Sequence, residues 1–192
     1  MTGQPFLTTE RLELWQPRAS DLKAMHEIVL HPSTGRFLGS SAPLHEHATR
    51  FTRGAGSWFL YGYGPLMLRL RGTPTLIGNC GIFHTFRGLG DDFDDHPEAG
   101  WIVAADHVGQ GLGSEAMRAV LDWFDREHGQ RRIVCMIAVE NEPSLKLAAR
   151  LGFTPMRQVE LPDGDVVMLL ERLPGQRRPG NGGPMNIGLP LQ

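Results

Sequence analysis

The segment Val108-Gly109-Gln110-Gly111-Leu112-Gly113-Ser114 sets three glycines at alternate positions between a strand-like run and a helix-like one. Without a Cβ, successive backbone N–H groups there are free to turn inward and approach a ligand closely. A helix that opens directly afterwards adds its unpaired first-turn amides and the positive end of its dipole. Main-chain capture of a phosphate or pyrophosphate is the chemistry this permits. No Lys or Arg lies between residues 88 and 117, so the expected anion is held by backbone amides more than by side-chain charge. Gly111-x-Gly113-x-x-Ala116 also has the spacing of a dinucleotide fingerprint. That fingerprint belongs in a parallel βαβ unit, however, and the strands before it read as hairpins.

Other reactive side chains carry less. Asp91, Asp92, Asp94 and Asp95 put four carboxylates in five positions. They read either as a solvated loop or as a lure for a cationic amine. His45-Glu46-His47 does not read as a metal site, because residues i and i+2 on a helix diverge by about 200°; surface histidines are expected, and no metal. Asn141 reads as a helix cap. Cys80 and Cys135, 55 positions apart, give neither a disulfide framework nor a zinc motif. Trp58, Trp101 and Trp123 need only packing.

The elements that must position these groups follow from period and punctuation. Residues 11–15 alternate as a half-buried strand. Ser20 is expected to cap a helix over 21–30, ended by His31-Pro32, and a second helix is expected from Pro43 to about Arg53, stopped by Gly54-Ala55-Gly56. Runs 65–70 and 76–83 form a hairpin, a polar loop follows, and 99–104 is a further strand. A helix with Met117, Val120, Leu121 and Phe124 on one face ends at Gly129. A buried strand over 133–139, a short helix from Asn141 to Leu151, and a last hairpin of 153–160 with 166–171 complete the order βααβββαβαββ. Residues 1–173 are read as one domain. From 174 to 192, Pro and Gly supply nine of 19 positions, the composition of an unstructured tail.

Nineteen basic against 21 acidic residues give a net charge of −2, which leaves no cationic excess for a nucleic-acid backbone. No apolar stretch reaches the roughly 18 residues of a membrane span and no secretory leader is evident, so a cytoplasmic protein is expected.

Five words in order then acquire a joint meaning: Thr9-Glu10-Arg11-Leu12; Leu76-Ile77-Gly78-Asn79-Cys80-Gly81; Glu98-Ala99-Gly100-Trp101; Gly109 to Ala116; and Asn141-Glu142-Pro143-Ser144 leading to Leu151-Gly152-Phe153. The chain resembles the GCN5-related N-acetyltransferases (GNAT), and within them the ribosomal-protein alanine N-acetyltransferase branch, over about residues 8 to 172. The resemblance implies an α/β (α+β) fold: a mixed, mostly antiparallel sheet of about seven strands, splayed open in the middle and flanked by about four helices. It implies acetyl-CoA as cosubstrate, with its pantetheine arm against Trp101, Ile102 and Val103. Its pyrophosphate would rest on the amides of Val108, Gly109, Gln110, Gly111, Leu112, Gly113 and Ser114, with Asn141 alongside. Many relatives have a Tyr seven residues after the Asn, where this chain has Ala148; Ser144 or water is then the expected proton donor to the departing thiolate. Glu98 is the candidate base, against its reading as a solvated strand-end carboxylate.

Acyl transfer from a thioester to an amine needs positioning, an oxyanion donor and a neutral nucleophile. At pH 7 an α-amine of pKa about 7.7–8.0 costs about 1–1.4 kcal/mol to deprotonate, and a lysine of pKa ~10.4 about 4.6 kcal/mol. A protein or peptide N-terminus is therefore the expected acceptor. A small-molecule amine such as a polyamine or an aminoglycoside, or a silent acyl-CoA-binding module, are the alternatives, and the protein is expected as a monomer or homodimer. The acceptor cleft is expected to come from residues 31–42 and 84–97.

Overall fold

A computed structural model describes residues 3–39 and 42–175. The chain forms strands β1 (Leu7–Thr8), β2 (Leu12–Trp15), β3 (Pro65–Leu70), β4 (Leu76–Phe83), β5 (Glu98–Val103), β6 (Ile133–Ala138), β7 (Thr154–Glu160) and β8 (Val166–Arg172). Between them lie helices α1 (Asp21–Leu30), α2 (Pro32–Gly35), α3 (Leu44–Tyr61), α4 (Asp91–Asp94), α5 (Leu112–His128) and α6 (Glu142–Arg150). One sheet runs β1-β2-β3-β4-β5-β6-β8-β7. Every neighbouring pair is antiparallel except β5 with β6.

The pleat decides which helix covers which face. On β3, Leu66 and Leu68 enter the main core beneath α5 together with Met117, Leu121 and Phe124. The alternate Arg69 points the other way and meets Asp21 of α1 at 2.5 Å, with both side chains buried. Phe93 of α4 plugs a smaller cluster with Val134, Val167 and Leu169.

The structure departs from the sequence reading in several places. An eighth strand, β1, pairs Leu7 with Leu14; at two residues it is too short to carry a period. Helix α3 runs through Gly54-Ala55-Gly56 and stops only at Gly62, whose φ is 76°. Each glycine costs a helix about 1 kcal/mol relative to alanine. Packing outweighs that cost: Trp58, one turn beyond Gly54, sets its ring against Phe6 and Trp123 and donates from Nε1 to the Pro65 carbonyl at 2.9 Å. Ser20 makes no cap bond; the Asp21 carboxylate instead accepts from the Arg18 amide at 3.0 Å. Two single-turn helices, α2 and α4, occupy stretches read as loop. The expected tail lies outside the described residues beyond Gly175.

Candidate active site

Strands β5 and β6 share a single register pair, Glu98 with Val134, fastened by the Val134 amide donating to the Pro97 carbonyl at 2.9 Å. Past that rung they part. β5 stays paired with β4 along its whole length, so its other edge turns free N–H and C=O groups into the gap. Residues 100–103 are only half-buried although they lie in the middle of an eight-stranded sheet. The opening is a cavity of about 850 Å³, lined by Gly100, Trp101 and Ile102 on one side and by Met136, Ile137 and Ala138 on the other. That volume suits a small-molecule or cofactor site.

The glycine loop stands at the end of β5, after a short turn at Ala105–His107. Gly109 and Gly111 have φ of 81° and 77°, a left-handed conformation that side chains resist. Gly111 precedes α5, whose ladder begins with the Glu115 amide donating to the Gly111 carbonyl at 3.0 Å. The amides of Leu112, Gly113 and Ser114 come before that first bond and are the helix's free donors. Gly113 differs from its neighbours. A Cβ on it would lie 3.4 Å from Leu147 and 3.5 Å from Val103, ordinary packing distances, so the third glycine is not sterically obligatory. Gln110 folds its side chain back, donating from Nε2 to the Asp106 carbonyl at 3.0 Å, and offers the gap only main chain.

Backbone does not act alone here. Arg11, at the start of β2, donates from Nη1 to the Gln110 carbonyl at 2.9 Å and from Nε to Glu115 at 2.7 Å. Burial disfavours the ionised Glu115, but hydrogen bonds from Thr9 and from the Arg11 amide and side chain outweigh it, and the carboxyl is held below the usual glutamate range. Arg11 thus braces the loop from behind with its charge matched by Glu115, and the expectation that backbone amides outweigh side-chain charge in the loop stands as an expectation. Nothing local in residues 88–117 signals a partner 104 positions away.

Across the gap, Asn141 caps α6: its Oδ1 accepts from the Ser144 amide at 3.2 Å. The Ser144 Oγ in turn accepts from the Trp101 indole N–H at 3.3 Å, which leaves its own proton free to donate. Trp101 thus ties β5 to α6, a role beyond packing. Ala148, one turn after Ser144 on the same helix face, is fully buried in the main core.

Glu98 is neither solvated nor free. It is 3% exposed; its Oε1 accepts from Arg87 Nη2 at 2.7 Å, and its Oε2 accepts from Arg87 Nε at 2.8 Å and from the Thr85 hydroxyl. The guanidinium, despite its own desolvation, is held more firmly protonated by this carboxylate and by Asp94. Two of the four aspartates are also engaged internally, while Asp91 and Asp95 are exposed. Asp94 accepts from the Arg87 and Leu89 amides at 2.9 Å each, and Asp92 pairs with Arg157 at 2.9 Å. His47, expected on the surface, is half-buried beside His26 and lines the cavity. Among the described residues no three His, Cys, Asp or Glu side chains converge as a metal site. The dinucleotide reading fails on topology: β5, α5 and β6 do form a βαβ unit with parallel strands, but it shares one rung and sits in an otherwise antiparallel sheet, not in the doubly wound parallel sheet to which a dinucleotide fingerprint belongs.

Residues 11–154 match the sequence model of the acetyltransferase (GNAT) domain. A protein of Bordetella pertussis described as a GNAT-family acetyltransferase superposes with a TM-score of 0.78 at 36% identity, over 86% of this chain and 98% of its own. The uncharacterized N-acetyltransferase YnaD of Bacillus subtilis is 24% identical over 148 residues, 76% of this chain and 81% of YnaD. RimL, a ribosomal L7/L12 alpha-N-protein acetyltransferase solved with coenzyme A, shares the fold with a TM-score of 0.70 at 18% identity, over 89% of this chain and 98% of its own.

Proposed function

This chain belongs to the GNAT acetyltransferases, acyltransferases that take acetyl-CoA as cosubstrate, and from that premise we propose that it acetylates the α-amine of a protein or peptide N-terminus by direct attack in a ternary complex. The observation that carries the reading is the single rung between β5 and β6, which leaves a cavity beside unpaired strand groups and a helix mouth. In this proposal residues 1–173 are the acetyltransferase domain. The pantetheine arm takes the free edge of Trp101, Ile102 and Val103, the pyrophosphate takes the amides from Gly109 to Ser114 with Arg11 behind them, since the expected Val108 amide already donates to the Ala105 carbonyl at 3.2 Å, and Asn141 holds the mouth of α6. The neutral amine attacks the thioester carbon, and a β5 amide holds the developing oxyanion. Collapse expels the thiolate, which takes a proton from Ser144 Oγ as that oxygen takes one from water, while the proton lost by the amine passes to water, so serine ends as it began.

The acceptor class is supported by what the gap lacks. The carboxylate at its base, Glu98, is buried and already bound by three donors, so its lone pairs are taken up and water, a weak base, is left to receive the amine's proton. We therefore give Glu98 a positioning role at the seam. A weak base suits an α-amine, which needs only about 1–1.4 kcal/mol to deprotonate at pH 7. RimL, which shares the fold, acts on a protein N-terminus by its name.

The test follows free thiol release from acetyl-CoA with three acceptors: short peptides with free N-termini, the same peptides blocked at the N-terminus but carrying lysine, and polyamines or aminoglycosides. Turnover of the free N-termini is expected. Turnover confined to the small amines would replace this reading.

A further inference from the structure

The wall of the cavity away from the glycine loop is built by α2 and α3, and its charge is distinctive. Arg36, Arg50 and Arg53 all line it. Elsewhere the arginines around the site are neutralised: Arg11 by Glu115, Arg69 by Asp21, Arg87 by Glu98, Arg157 by Asp92. No described carboxylate comes within ion-pair distance of Arg36, Arg50 or Arg53; Arg36 only lies over the Phe37 ring at 5.0 Å. Glu46, one turn before Arg50 on α3, does not line the cavity.

His47, at the same face of α3 as Arg50, has a buried Nε2 with no described partner. Burial, His26 and Arg50 all lower its pKa, so the ring is neutral near pH 7 and offers a hydrogen bond without adding charge. The opposite lip, the turn between β7 and β8, carries Asp163 and Asp165. The cleft is thus polarised: it attracts a cation at that turn and an anion along α3.

We propose that the acceptor is a peptide whose N-terminal amine is followed closely by acidic side chains, read by Arg36, Arg50 and Arg53. This rests on the N-terminal reading above and adds the sequence class of the acceptor. An ammonium that leads and carboxylates that follow match the two lips of the cleft in order. The guanidinium groups stand unpaired in the free protein, so an acidic peptide meets them without displacing an internal partner. Because the arginines are exposed, each contact contributes modestly, and the selection comes from their sum.

The experiment compares kcat/KM for peptides beginning Ser-Glu-Glu, Ser-Gln-Gln and Ser-Lys-Lys, with acetyl-CoA saturating. The acidic peptide is expected to lead the basic one by roughly tenfold, with the neutral peptide between. The gap should narrow at about 0.5 M salt, where exposed charges are screened. The double charge reversal Arg50→Glu with Arg53→Glu is expected to invert the order, and Arg50→Gln with Arg53→Gln to flatten it. Equal rates for acidic and neutral peptides in the wild-type protein, or an order preserved in both double variants, would overturn the inference. Failure of every peptide beside turnover of a small amine would instead sink the N-terminal reading on which it rests.

Discussion

The two walls of the cleft are made of different material. On the proposed cofactor side the groups are main-chain: the free edge of β5, the turned amides at Gly109 and Gly111, and the first turn of α5. On the proposed acceptor side they are side chains from α2, α3 and the β7–β8 turn, far apart in sequence. A main-chain site constrains backbone conformation and so leaves glycines at fixed spacing. A side-chain site leaves only scattered arginines and aspartates, whose meaning depends on what the fold brings opposite them.

The largest effect is expected where the two walls meet. Glu98→Ala would strand the Arg87 guanidinium, and since that side chain is 30% exposed the loss should be about 2–3 kcal/mol, below that of a fully buried pair. Urea denaturation measures it, and a change below about 0.5 kcal/mol would mean the seam is held by other contacts. Next comes the main-chain wall. Gly111→Asp adds a side chain at φ 77° and a negative charge beside the proposed phosphate site, so CoA should bind roughly 30-fold more weakly by calorimetry. Unaltered affinity would remove the loop from cofactor binding.

Ser144→Ala is expected to lower kcat about tenfold with little change in CoA affinity, since a proton donor acts only as the thiolate forms; full turnover would leave that proton to water. A smaller effect concerns the charge behind the loop. The Glu115 pKa is depressed when folded, so its bonds stabilise the protein above the ordinary value of 4.5 and the benefit is lost as pH falls through the depressed value. Glu115→Gln should flatten the acid limb of Tm against pH, by under about 1 kcal/mol. Smallest of all is Gly113→Ala, whose added methyl meets only ordinary contacts; a change in CoA affinity beyond about twofold would show that the third glycine, too, serves the ligand.

How much of this was readable from the sequence follows the same division. The glycine loop, the helix after it and the cap at Asn141 were legible, because each imposes a period, a turn or a punctuating residue; the open sheet was implied only by the family resemblance. Glu98 was singled out, but its engagement with Thr85 and Arg87 was not, since those partners are supplied by the end of the β4–β5 hairpin. The aspartates 91–95 were visible as charge, yet whether they face solvent or fold the loop depended on Arg157, 65 positions away from Asp92. Helix α3 was cut short because its stabilising contacts, Trp58 with Phe6 and Trp123, are tertiary, while the glycines that argued against it are local.

The lone rung between β5 and β6 also shapes how the chain opens. Strands β1 to β5 lie side by side largely in the order of their synthesis, and β6, β8 and β7 make a second block of their own. Each block has its own ladder, the two share one sheet rung, and a common core of Leu66, Leu68, Ile133 and Leu170 joins them beneath α5. Native-state hydrogen exchange should then find the β5 and β6 amides past the rung exchanging faster than the ladders on either side, and slowing when cosubstrate occupies the seam.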